Sequence, residues 1–134
     1  MSDAVPADLK RLVRRRARRR CEYCLLPEGL GFITFHIEHC ISQKHDGPTV
    51  AENLALACPA CNAFKGTDVA GLDPQEQAPV PLFNPRLHAW EEHFRQDDFL
   101  IVGLTAVGRV TARLLRMNDP DRILDRFDAD RNDA

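Results

Sequence analysis

Apolar side chains at Leu9, Leu12, Val13 and Ala17 fall at offsets 0, 3, 4 and 8 within ADLKRLVRRRARRR, a stretch free of Gly and Pro. That spacing predicts an amphipathic helix over 7–20, with one narrow apolar stripe under a basic surface. LPEGLG is turn material, and the aromatic and β-branched content of FITFHIEH predicts a strand. QKHDGPT reads as a loop, NLALAC as a short second strand, and PACNAFKG as a short helix stopped by Gly66. Residues 67–81, with Gly71, Pro74, Pro79 and Pro81, read as loop. Asn84-Pro85 then opens a predicted helix carrying Leu87, Trp90, Glu91 and Phe94. DDFLIVGLT is a predicted strand. TAVGRVTARLLRMN is a helix with Thr105 as N-cap and Val107, Val110, Leu114 and Met117 on its buried side. Asp119-Pro120 starts a last helix expected to fray in the tail DADRNDA.

Charge changes this picture in one place. The whole chain carries a net charge of −2, yet residues 1–20 hold eight Lys/Arg against Asp3 and Asp8. A clustered arginine run binds phosphate well, because each contact releases counterions. Nucleic acid is therefore the expected partner, with a solvated helix face or a localisation tag as the competing explanations. At 134 residues the chain is expected to form a single domain. No apolar run approaches a membrane span, and the start MSDAVPADLKRLV lacks the apolar core of a secretory signal, so a cytoplasmic location is expected.

Cysteine spacing adds specific chemistry. Cys21-Glu-Tyr-Cys24 and Cys58-Pro-Ala-Cys61 are two C-x2-C pairs. Each pair presents two sulfurs to one point, and together they complete a tetrahedral, closed and therefore structural Zn²⁺ site. Cys40 is left over as a free thiol. Between the knuckles lies HIEHC, with His36, Glu38 and His39 on one short segment. Regular strand geometry sends Glu38 and His39 to opposite faces, so they can share a site only where the strand ends or kinks.

CEYC, FHIEHC and ENLALACPACNAFKG, in that order, resemble the HNH motif with two zinc knuckles, a member of the ββα-metal (His-Me finger) nucleases. The resemblance spans roughly residues 18–68. It implies an α+β fold: a small zinc-stabilised ββα-metal finger at 18–68, a basic N-terminal helix at 1–17, and a mainly helical C-terminal extension at 69–134. By the same resemblance His39 matches the general base that activates water. Glu38 and Asn62 match the ligands of one catalytic divalent metal, and Asn53 the central asparagine that braces the loop and orients the base. Two positions depart from the usual pattern. Ser42 stands where many such motifs have proline, and Asn62 where many have histidine; an amide oxygen leans toward Mg²⁺ or Mn²⁺.

The activity so implied is endonucleolytic hydrolysis of phosphodiester bonds, with double-stranded DNA as the expected substrate. Lys65, His45, His36, Arg15, Arg18 and Arg19 are candidate substrate contacts. His88 and His93, five residues apart on the predicted helix, read as structural. Two other readings compete: a non-catalytic zinc module that binds nucleic acid, and a protein-interaction domain whose acidic body docks a basic partner.

Overall fold

A computed structural model of the chain describes residues 5–29 and 33–132. Leu30 and Gly31 of the expected turn, Phe32 of the expected strand and the last two residues of the tail lie outside the described residues. Among the described residues, five helices and three two-stranded antiparallel sheets make up the fold, an α+β architecture.

Helix α1 spans Ala7–Arg16 rather than reaching residue 20. Its end is a Schellman turn: Arg19 N donates to Arg14 O at 3.0 Å and Arg18 N to Arg15 O at 3.1 Å. Arg18 and Arg19 both adopt left-handed backbone conformations, at φ 55° and 56°. The basic run is also less free than its composition implies. Arg16 donates to the carbonyls of Ala51 and Leu54, and Arg14 to Glu28 and the Phe35 carbonyl, so two of these arginines staple α1 to the rest of the N-terminal half.

Strands β1 (His36–His39) and β2 (Leu54–Ala57) pair in the register His36↔Ala57 to His39↔Leu54. β2 is buried along its whole length, as its run of Leu and Ala requires. Helix α2 (Pro59–Lys65) follows at once, with Pro59 at its first position, and closes the finger. Gly66 ends it at φ 52°.

Past the finger the sequence expectation needs three corrections. Residues 67–81 contain a hairpin, β3 (Ala70–Leu72) with β4 (Pro79–Pro81). Proline suits this strand because it lies at an edge, and Val80 between the two prolines packs with Leu82 against Val110. The helix expected from Asn84 shrinks to one turn, α3 (Trp90–His93), followed directly by β5 (Phe94–Asp97). Asn84 consumes the helix start locally: its side chain accepts from Arg86 N, and its own N–H donates to His88 Nδ1. Strand β6 (Leu100–Gly103) pairs with β5 as a further hairpin. Helix α4 (Ala106–Leu114) is capped as expected by Thr105, whose hydroxyl accepts from Gly108 N at 3.1 Å. At Gly108 a Cβ would sit 1.9 Å from the His93 carbonyl oxygen, so glycine permits α4 to pack this closely.

Helix α5 (Pro120–Asn132) does not fray where expected. Its inner face is built from Arg122, Arg126 and Ala129, all buried. Arg126 donates to the carbonyls of Phe99 and Met117, which satisfies the backbone ends of neighbouring elements. One cluster of buried side chains joins Val13, Tyr23, Leu54 and Leu56 of the first half to Phe83, Phe94, Ile101 and Met117 of the second. Among the described residues no helix is long and apolar enough to cross a membrane.

Candidate functional site

The four knuckle cysteines converge. Cys21 and Cys24 come after α1, while Cys58 caps α2 and Cys61 lies in its first turn. Their sulfurs all lie within 4.8 Å of one another, and every one is buried. A tetrahedron with Zn–S bonds of about 2.3 Å places its sulfurs about 3.8 Å apart, and Cys24 Sγ lies 3.6 Å from Cys58 Sγ. Backbone N–H groups of Cys24 and Cys61 donate to the sulfurs of Cys21 and Cys58, the turn geometry that aims each pair inward. The donor set fits Zn²⁺.

A residue that the spacing pattern gave no sign of completes this centre. Arg122 of α5, 3% exposed, donates from Nη2 to Cys61 Sγ at 2.9 Å and from Nη1 to the Leu115 carbonyl. Burial works against its charge. The thiolates of Cys61, Cys24 and Cys58 together outweigh that cost and hold its pKa above the ordinary arginine value. Hydrogen bonds of this kind orient metal-binding sulfurs and offset their charge.

Glu38, His39 and Asn62 line one cleft of about 350 Å³, together with Lys44, Gly66 and Thr67. Glu38 and His39 share it because β1 ends at His39, so the alternation of a regular strand does not separate them. His39 is half-buried, and its Nε2 lies 2.8 Å from the Thr49 hydroxyl. Asn53 sits beneath the intervening loop. Its Oδ1 accepts from Ile41 N, and its Nδ2 donates to the carbonyls of Ile41 and Pro48, each at 2.9 Å. Gly47 lets that loop close: a Cβ there would fall 1.7 Å from the Ile41 carbonyl oxygen. Thr49 and Gly47 escaped the sequence reading because neither carries a motif signal of its own.

Beneath the cleft is a buried ion pair. Lys65 Nζ lies 3.1 Å from Glu38 Oε1 and donates to the Cys40 carbonyl at 3.0 Å. The Lys65–Glu38 contact is ionic and lacks hydrogen-bond geometry, so both Glu38 oxygens keep unfilled acceptor capacity. That remaining acceptor capacity, beside the Asn62 amide in one cleft, suits a divalent cation, although Lys65 already faces Oε1. Burial raises the Glu38 pKa, and Lys65 opposes the rise. Burial, then the Glu38 charge, also push the Cys40 thiol up to about 11, so it stays neutral and a poor ligand.

Other candidate contacts fall elsewhere. Lys65, expected at the phosphate, lies under the cleft with its charge directed at Glu38, whereas exposed Lys44 lines the cleft itself. His36 and His45 are exposed and do not line the cleft. Arg15, Arg18 and Arg19 are exposed on α1 and its terminal turn. His88 and His93 pack against Phe83, with ring centroids 5.8 and 6.0 Å away, which agrees with a structural role.

Replacing Asn53 by Ala removes three hydrogen bonds and strands the buried groups they served. A stability loss of about 2–3 kcal/mol is expected, read from urea denaturation of the zinc-loaded protein.

Residues 21–68, from the first knuckle cysteine to just past α2, match the family model described as HNH endonuclease. No curated protein and no solved structure matches the chain.

Proposed function

We propose that the protein is a metal-dependent endonuclease that hydrolyses phosphodiester bonds in DNA. The observation that carries this reading is the convergence of Glu38, His39 and Asn62 in one cleft inside the HNH segment. In this mechanism His39 Nε2 carries the ring proton and donates it to the Thr49 hydroxyl 2.8 Å away, which leaves Nδ1 as the basic nitrogen. Nδ1 then takes a proton from the attacking water as the phosphorus–oxygen bond to the 3′-oxygen breaks. Glu38 and Asn62 would hold one divalent ion, Mg²⁺ or Mn²⁺, which supplies charge stabilisation at the scissile phosphate and the departing oxygen when bound. Asn53 fixes the loop that presents Thr49, and so acts on His39 at one remove. Lys44 at the cleft and the exposed Arg15, Arg18 and Arg19 contact the backbone, which sets position but not sequence preference. The zinc centre holds the two halves of the finger together. Within this reading the chain works as a single domain in the cytoplasm.

One observation favours a second reading, a zinc module that binds nucleic acid without cutting it: the Glu38 carboxylate already has a buried cation at 3.1 Å. Supercoiled plasmid separates the two. Zinc-loaded protein with added Mg²⁺ or Mn²⁺ is expected to produce nicked circles, and to produce none without the added ion. Protein that binds the plasmid and retains its zinc but nicks with neither ion would establish the binding module instead.

A further inference from the structure

A second concavity lies on the α1 side of the zinc centre. It has a volume of about 220 Å³, below the roughly 300–1,000 Å³ of pockets that engulf a whole drug-sized ligand. Buried Phe83 and half-buried Pro85, His88 and Trp90 line its interior, and exposed Arg18 lines it from the surface beside Arg16 and Arg20, whose guanidinium groups also donate to backbone carbonyls. Glu22 also lines it, but its carboxylate is paired with Arg86. An apolar, aromatic interior with a cationic mouth matches a flat ring joined to an anion.

The backbone gives an independent indication. Arg18 occupies the C′ position of the Schellman turn, where glycine is favoured, and Arg19 beside it is also left-handed. Each such residue costs about 1–2 kcal/mol relative to an unstrained conformation. Arg18 and Arg19 are two of seven described non-glycine residues at positive φ, a strain that occurs at functional sites.

We propose that this cavity takes one unstacked nucleotide of a single DNA strand, with its base against the half-buried Trp90 and Pro85 and its phosphate at Arg18. Stacking on aromatic rings suits any base, so the site grips a locally opened strand without reading its sequence. Cys21 lines this cavity and Asn62, adjacent to Cys61, lines the cleft, so each borders a zinc knuckle. The inference rests on the nucleic-acid reading above but not on cleavage.

Trp90 is the only tryptophan in the chain, so its fluorescence reports on this cavity. Zinc-loaded protein, without added divalent ion, is titrated with a short single-stranded oligodeoxynucleotide, and binding is followed separately by anisotropy. Saturable quenching is expected with the single strand and not with a fully paired hairpin. A strand of abasic residues is expected to bind about 5–100-fold more weakly and to leave the emission unchanged. Arg18→Gly suits the left-handed backbone, so folding stability is expected to hold or rise while single-strand affinity falls about tenfold. Equal quenching by the abasic strand or by the hairpin would overturn the proposal, as would unchanged affinity in Arg18→Gly. Full quenching by a mononucleotide at the same concentration would replace it with a free-nucleotide site. Plasmid nicking without quenching would remove this proposal alone, whereas quenching without nicking would remove only the cleavage reading.

Discussion

Stripping zinc from the protein is expected to unfold the finger and release helix α5 in the same transition. Structural zinc contributes on the order of 10 kcal/mol in small cysteine-bound modules. That is as large as the roughly 5–15 kcal/mol by which whole domains are stable. The four sulfurs join the end of α1 to the start of α2, so without the ion the two hold only through packing and a few hydrogen bonds such as those of Arg14 and Arg16. Arg122 extends the effect to the other end of the chain. Its buried guanidinium lies 2.9 Å from Cys61 Sγ and 3.8 Å from Cys58 Sγ, and thiols that regain protons leave that charge uncompensated. Circular dichroism during chelation, with limited proteolysis at residues 120–132, is expected to show helix loss and α5 cleavage together with zinc release. Helix content that persists after zinc has left would mean that the cysteine cluster is not what holds the fold.

Lys65→Met is expected to destabilise the protein by about 3–5 kcal/mol at neutral pH, because it leaves the Glu38 carboxylate buried and unpaired. The effect has a pH signature. Burial raises the Glu38 pKa in the folded state above its ordinary value, so the native state binds the proton more tightly than the unfolded chain does. Stability from that proton is fully present below the ordinary carboxylate pKa and is lost as pH rises through the raised one. Removing Lys65 takes away the group that opposed the rise. Urea midpoints of Lys65→Met and the parent are therefore expected to lie close together near pH 4 and to separate toward pH 7. Adding Glu38→Gln to Lys65→Met is expected to recover most of the loss at neutral pH. A constant gap across that range would show that packing, not the ion pair, accounts for the cost.

The finger was largely legible because its signals are local. Two C-x2-C pairs, a hairpin of alternating and apolar strands, and a proline-initiated helix each fix structure within a few residues. The extension was harder to read because its decisive interactions are distant. Nothing in the sequence pattern singled out Arg122 or Arg126, yet they form the buried face of α5 through hydrogen bonds to Cys61 Sγ and to backbone carbonyls. Pro79 and Pro81 read as strand breakers, yet an edge strand needs no N–H from them. Leu87 looked like part of an apolar stripe and is 77% exposed, because Asn84 redirects the chain before a helix forms. The motif singled out His39, Glu38 and Asn62, which line one cleft, whereas nothing in the sequence indicated the pairing of Glu38 with Lys65. A charge partner 27 residues away leaves no periodic trace.

The most direct test of the nuclease reading compares the rate of plasmid nicking by the parent protein and by His39→Ala. Both are loaded with zinc, matched in DNA binding, and supplied with saturating Mg²⁺ or Mn²⁺. Loss of a positioned general base lowers such rates by about 10²–10⁴-fold, and a fall of that size with unchanged DNA binding is the expected result. A variant that nicks as fast as the parent would contradict the assignment of His39 and, with it, the proposed chemistry of the cleft.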